Sequence, residues 1–86
     1  MKKQIWKYPL EITGTQEIEM PVGAQSLSVQ VQHGHPRIWA MVDTEAEKET
    51  RLVQIFGTGH SVENEGSFIG TFQVEGGSLV FHAFIK

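Results

Sequence analysis

Apolar and polar residues alternate along most of this chain, and a period of two is typical of β-strands that bury one face. The first run predicts a strand with four apolar side chains on one face: Trp6, Tyr8, Leu10 and Ile12. Because Pro9 has no N–H to donate, this strand is predicted at a sheet edge or with a bulge. A second alternating run covers residues 18–22.

The middle of the chain predicts a β-hairpin. Residues 27–32 alternate strictly, which indicates that Leu27, Val29 and Val31 point inward. A short segment with Gly34 and Pro36 supplies turn chemistry. Residues 37–42 then return as a strand that is apolar on both faces. Such a strand is expected at the centre of a sheet or at an interface.

Residues 43–50 break the pattern, because they are strongly charged and include one apolar residue. They are predicted as a solvated loop or as one short helical turn near 44–50. Strands resume at 51–56, 68–74 and 79–85, with a turn at 75–78 between the last two. The last strand places Leu79, Phe81, Ala83 and Ile85 on one face and His82 on the other.

These elements predict an all-β, mainly antiparallel fold of six or seven strands, either a small sandwich or a partly open barrel. The 86 residues are expected to form a single domain, 1–86, since most domains have roughly 100–150 residues. A chain of this length buries only about 60% of its unfolded surface. Its core is therefore thin, and a homo-oligomer is expected to stabilise it.

Composition narrows the class of protein. The chain has no cysteine, which excludes disulfides and thiolate zinc sites and fits a reducing cytoplasm. No apolar stretch approaches the roughly 20 residues that cross a bilayer, and the N-terminus lacks a secretory signal pattern, so no membrane partner is expected. The formal net charge of -3 argues against general nucleic-acid binding, which needs a basic surface.

Catalysis and metal binding find little support in the residues. The chain lacks a Gly-x-Ser-x-Gly elbow, and its serines have no evident neighbouring base. His33 and His35 flank a glycine and could share a face, but no third ligand follows at a recognisable spacing. A non-enzyme with no catalytic residues, no metal and no cofactor is therefore predicted, with the two histidines as ordinary solvated side chains.

Two groups of residues are candidates for ligand binding. The segment Gly57-Thr58-Gly59-His60 can expose consecutive N–H groups to an oxyanion, although a tight turn at a strand end explains the same glycines. It is neither a P-loop nor a dinucleotide fingerprint. The second group joins three aromatic residues, which stack on planar ligands, to a cation that pairs with phosphate: Trp6, Tyr8, Trp39 and Arg37. The alternative for the aromatics is core or subunit interface.

Six blocks of sequence in a fixed order carry a family resemblance: residues 5–10 (IWKYPL), 28–32 (SVQVQ), 39–43 (WAMVD), 55–60 (IFGTGH), 68–73 (FIGTFQ) and 76–82 (GGSLVFH). In these blocks the chain resembles a family of small proteins encoded by bacteriophages and prophages. The resemblance implies a non-virion accessory protein that acts in the bacterial host cytoplasm by binding. It supplies no catalytic residues.

The preferred hypothesis is an oligomeric protein that sequesters a nucleotide signal of host defence. Its expected ligand-binding residues are the two candidate groups together: Trp6, Tyr8, Arg37, Trp39, Thr58, Gly59 and His60. One alternative is an interaction module that docks on a host or phage protein, which predicts an exposed apolar patch or an open strand edge. The other is a small hydrolase or metal-binding protein, which needs histidines that converge with a carboxylate.

Overall fold

The computed structural model describes residues 2–86, and these form seven strands. The strands are β1 Lys3–Pro9, β2 Thr15–Pro21, β3 Gln25–Gln32, β4 His35–Asp43, β5 Lys48–Gly57, β6 Ser67–Val74 and β7 Leu79–Ile85. Every pairing between them is antiparallel. They make two separate sheets and do not close into a barrel. The all-β prediction is confirmed, and of its two architectures the sandwich is the correct one.

The order of strands in each sheet explains the sequence patterns. The three-stranded sheet runs β1-β4-β3 and the four-stranded sheet runs β2-β5-β7-β6. β4 is central, which accounts for its apolar residues on both faces. β1 is an edge strand, as Pro9 predicted, and Pro9 lies opposite Arg37 at the end of the ladder.

The core lies between the two sheets. Ile38, Ala40 and Val42 of β4 are fully buried, and Val53 and Ile55 face them from β5. The complete cluster of buried apolar side chains is Leu10, Met20, Ala24, Val29, Ile38, Ala40, Val42, Val53, Ile55, Phe72, Ala83 and Ile85. Alternation along each strand therefore sets which residues face inward.

Leu27 is the predicted inward residue that faces outward, whereas Val31 and Leu79 keep their predicted faces but are exposed at strand ends. A bulge between Ser26 and Ser28 turns Leu27 outward, where it is 43% exposed, and Val31 near the strand end is 37% exposed. Leu79 begins β7 and is 47% exposed, although the rest of its predicted face is inward. A bulge reverses the direction of a side chain without changing its sequence alternation, so the pattern could not reveal it.

Two connections also bear on the predictions. Residues 44–47 form a loop, so the loop alternative is correct for the middle of the charged segment, but residues 48–50 already belong to β5. A short 3₁₀ turn, Glu75–Gly77, joins β6 to β7 where the glycine-rich turn was predicted. Gly76 and Gly77 have φ of 66° and 94°, a conformation that glycine adopts without strain.

Candidate functional site

The seven predicted ligand-binding residues lie in three separate places. Trp6 and Tyr8 are on the inward side of β1, partly buried and packed against the core. The Tyr8 hydroxyl is buried without a hydrogen-bond partner among residues 2–86. Burial raises the pKa of Tyr8 above its ordinary value of 10.0. These two aromatics are therefore core residues in the single chain, as the alternative interpretation held.

Arg37 and Trp39 project from the opposite side of β4, onto the outer surface of the three-stranded sheet. We call this surface the Trp39 face; its outward residues include Lys3, Ile5, Lys7, Gln30, Gln32, Arg37, Trp39, Met41 and Asp43. Lys7 lies directly across the ladder from Trp39, and its Nζ is 5.7 Å from the centroid of the indole ring. The same Nζ donates a hydrogen bond to Gln32 Oε1 at 2.9 Å.

Within residues 2–86, Arg37 has a buried nitrogen without a partner on the Trp39 face. It lies between Pro9 and Gln30 across the two ladders. Its Nε is buried and has no hydrogen-bond partner in the described part of the chain. A buried guanidinium N–H without a partner costs free energy. Because Nε is inaccessible to solvent, a ligand can pair only with the outer part of this guanidinium unless the side chain moves.

The charge of the Trp39 face differs in sign from the net charge of the whole chain. The chain has 7 Lys and Arg against 10 Asp and Glu. On the Trp39 face the balance is reversed: its basic residues are Lys3, Lys7 and Arg37, and Asp43 is its acidic one. Local charge, and not the net charge of -3, governs which ligands approach a surface. This face is locally basic.

Thr58 and His60 lie at a third place, the end of β5 against the start of β7. They line a cavity of about 450 Å³ together with Gly57, Ser78, Leu79, Val80 and Phe81. Gly59 does not line it, but its φ of 88° shapes the turn. The His60 ring covers Gly57 so closely that a Cβ there would lie 2.9 Å from the imidazole. Among the described residues, neither lysine nor arginine lines this cavity, which we call the β5–β7 pocket.

A chain of hydrogen bonds runs beside the pocket on the outer surface of the four-stranded sheet. His82 Nε2 lies 2.8 Å from Thr58 Oγ1, and His82 Nδ1 lies 2.9 Å from Thr71 Oγ1. Thr58 Oγ1 also donates to the carbonyl oxygen of Val80 at 3.1 Å. Since that hydroxyl has one proton, it must accept from His82, which places the ring proton on Nε2.

Comparison with known proteins gives a family and no relative of established function. The family model described as a domain of unknown function, DUF7352, matches residues 1–86. The chain belongs to this family. No curated protein and no solved structure matches it.

The hydrogen bonds of this DUF7352 domain indicate what its histidines do. A base that activates a hydroxyl accepts its proton, whereas the Thr58 proton is directed at the Val80 carbonyl oxygen and, in the matching tautomer, His82 donates to Thr58. The other ring nitrogen is held by the hydroxyl of Thr71, where a catalytic triad has a carboxylate. This arrangement positions the imidazole without activating Thr58.

The described residues form neither a metal-binding cluster nor a membrane-spanning helix. Across residues 2–86, no three side chains of His, Asp or Glu converge as a metal site would require. His33, with φ of 53°, and His35 are exposed around the β3–β4 turn. No helix formed by these residues is long and apolar enough to cross a membrane.

Sequence reasoning missed Lys7 and a cluster of three phenylalanines. Phe56, Phe68 and Phe84 share the outer surface of the four-stranded sheet, with ring centroids 5.6 Å apart for Phe56–Phe84 and 5.3 Å for Phe68–Phe84. Phe68 is 59% exposed. We call this cluster the Phe patch. The sequence could not reveal Lys7 or the Phe patch as parts of a surface. They form because β1 pairs with β4 and β5 pairs with β7, and pairings between distant segments cannot be read from alternation.

Proposed function

We propose that this domain is a non-catalytic binding protein that takes up a nucleotide on the Trp39 face. The observation that carries the proposal is the position of Trp39 beside two cations, Lys7 at 5.7 Å from its ring and Arg37 with an unpartnered Nε. An indole ring stacks on a nucleobase, and lysine and arginine pair with phosphate. Of the predicted ligand residues, Arg37 and Trp39 are retained for this role.

The resemblance to phage and prophage proteins supports a proposal about the kind of ligand and the place where it is bound. The ligand is then a nucleotide signal of host defence, and the protein sequesters it in the host cytoplasm without turnover. A flat sheet face does not enclose a small ligand, since typical sites bury most of the ligand surface. The proposed functional unit is therefore a homo-oligomer in which a second copy helps to cover the nucleotide.

The test is thermal stability of the purified protein against linear, cyclic and ADP-ribose-type nucleotides. A ligand at 100 times its Kd stabilises a fold by about 2.7 kcal/mol, which raises the Tm of a domain of this size by roughly 10 °C or more. Trp39→Leu and Arg37→Gln are expected to remove the shift, whereas Thr58→Ala should keep it. If no nucleotide raises the Tm, the proposal fails.

Thr58→Ala also decides between the two candidate sites. The β5–β7 pocket is large enough for part of a small molecule, but its described lining offers no lysine or arginine for a phosphate. Loss of the shift in Thr58→Ala with retention in Trp39→Leu would move the nucleotide to that pocket. The same result would restore Thr58, Gly59 and His60 as the ligand-binding residues.

A second candidate function is docking on a host or phage protein through the Phe patch. Exposed aromatic clusters are typical of protein interfaces, and Phe68 contributes little to the core at 59% exposure. Phe68→Ser should therefore abolish capture of a specific partner from infected-cell lysate and leave nucleotide-induced shifts unchanged. The third hypothesis, a hydrolase or metal-binding protein, has no observation of this kind in its favour.

A further inference from the structure

Two of the four terminal strands, β1 and β2, lie on the same side of the sandwich. At the other side β3 and β6 meet, where Val29 packs over Gly70. β1 and β2 are the opposite terminal strands of their sheets, and in the described chain each has one pairing partner. Open edges present unpaired N–H and C=O groups, which are a template for pairing with another strand.

The two open edges carry opposite charges. β1 has Lys3 and Lys7 on its outward side, whereas β2 has Glu17 and Glu19. Charged edge strands normally keep sheets apart because identical edges repel each other. That protection holds between two β1 edges or two β2 edges. It does not hold between β1 of one copy and β2 of another, where the charges attract.

We propose that β1 of one copy pairs with β2 of a second copy, so that two such junctions form a closed twofold dimer. The five-residue connection 10–14 reverses the chain between β1 and β2. A twofold axis along the strands therefore brings β1 and the partner's edge together antiparallel. Three strands of one copy then continue into four of the other, on both layers of the sandwich. Each copy gives the same surface, as an isologous interface requires.

The lengths and residues of the two strands fit one register. β1 and β2 have seven residues each, and full antiparallel overlap pairs position 3 with 21 and position 9 with 15. Lys7 then faces Glu17, and Trp6 faces Ile18, two half-buried side chains at the margin of the core. Pro9 and Pro21 fall at the two ends, where a missing N–H does least harm to the ladder.

The unequal sheets leave room for this pairing. β2 is the extra strand of the four-stranded sheet, and its Ile18, which lies opposite Arg51, is only partly covered. The partner's β2 would lie over that margin. In the dimer, Lys7 must give up its hydrogen bond to Gln32 and pair with Glu17 of the second copy. Its side chain is exposed, so this exchange costs little.

This inference goes beyond the proposed function, because the edge-to-edge dimer continues the Trp39 face into the partner's sheet and does not by itself cover a nucleotide. The test is molar mass by light scattering and sedimentation, with charge-swap variants. Wild type is expected at twice the mass of the chain. Lys7→Glu and Glu17→Lys should each weaken the dimer at least about tenfold, because each dimer holds two copies of the contact. An equimolar mixture of the two variants should restore it, since both junctions then pair opposite charges.

Hydrogen exchange supplies a readout that needs no variant. Amides within Lys3–Pro9 and Thr15–Pro21 should gain protection as the protein concentration rises, and the amides of β3 and β6 should not. A chain that stays monomeric up to about 1 mM, or a dimer that neither variant weakens, would overturn the pairing. Nucleotide binding is measured on the same samples: a monomer that binds nucleotide rejects the pairing alone, and a dimer that binds none rejects the ligand alone.

Discussion

A Cβ at Gly70 would lie 2.9 Å from Cγ1 of Val29. The contact joins β6 of one sheet to β3 of the other, at the bulge between Phe68 and Gly70. Val29 is 6% exposed and belongs to the core. The absence of a side chain at position 70 is therefore what lets the two sheets close at this margin.

Gly70→Ala is expected to destabilise the fold by about 1–3 kcal/mol, because the added methyl group overpacks a buried contact. Urea denaturation measures the loss. Val29→Ala alone should cost roughly 1–2 kcal/mol, but in the Gly70→Ala background it should cost less, since it removes the clashing methyl groups. Strictly additive effects would show that the two residues do not meet.

How far the sequence predicts this structure depends on the range of the interaction. Alternation is local, so it located the strands and placed Ala83, Ile85 and His82 on the correct faces of β7. Bulges at Leu27 and Ile69 are single-residue insertions that leave the pattern intact, so the outward turn of Leu27 could not be read.

The candidate site depends on longer-range information. The sequence grouped Trp6, Tyr8, Arg37 and Trp39 by chemistry. Alternate residues of a strand share a face, but the sequence did not show which face of each strand is turned towards the core. Pairing of β1 with β4 places Trp6 and Tyr8 inside and Trp39 outside, and it brings Lys7 across from Trp39. That pairing joins segments about thirty residues apart, which no local pattern specifies.

Gly66 is predicted to be the glycine least tolerant of substitution. A Cβ there would collide with the backbone carbonyl of Ile85, which the sheet holds in place, and the Gly66 N–H donates to Gln54 Oε1 at 2.8 Å. Gly66→Ala should therefore cost at least about 2 kcal/mol in urea denaturation. Gly14→Ala is the matched control, because no heavy atom lies within 4 Å of its Cβ position. Equal stabilities of the two variants would contradict this contact.

Gln54 is expected to hold the segment between β5 and β6 in place. It is a buried polar side chain on the outer side of β5, and its amide donates to the carbonyl oxygen of Asn64 at 2.9 Å while its oxygen accepts from Gly66. Gln54→Ala leaves both backbone groups without a partner, at a cost of about 1–3 kcal/mol. Amide exchange of residues 61–66 should accelerate more than that of β4, and uniform acceleration would argue against a local role.

The tautomer of His82 is a direct prediction from its two threonine partners. The Thr58 hydroxyl donates a hydrogen bond to the Val80 carbonyl oxygen, so the neutral ring is expected to carry its proton on Nε2 and to accept from Thr71 at Nδ1. Long-range ¹H–¹⁵N NMR distinguishes the two nitrogens. Thr71→Val removes the donor at Nδ1 and should let the other tautomer appear. A ring that is protonated on Nδ1 in the wild type would show that Thr58 donates to His82, which reopens the possibility of an activated hydroxyl.

Tyr8 makes stability depend on alkaline pH. Burial raises the pKa of its phenol in the folded chain above the ordinary 10.0, so at high pH the unfolded state releases this proton first. Stability is therefore unaffected by Tyr8 below pH 10 and falls as the pH rises through and above that value, until the folded phenol also ionises.

Tyr8→Phe should flatten the decline. At neutral pH it should be neutral or stabilising by up to about 1 kcal/mol, because it removes a buried hydroxyl that lacks a partner. Urea denaturation at pH 7, 9, 10 and 11 checks both outcomes, with Phe72→Leu as a core variant that lowers stability equally at every pH. A Tyr8→Phe curve parallel to the wild type would mean that the phenol is solvated, and a large loss at pH 7 would mean that its hydroxyl has a partner.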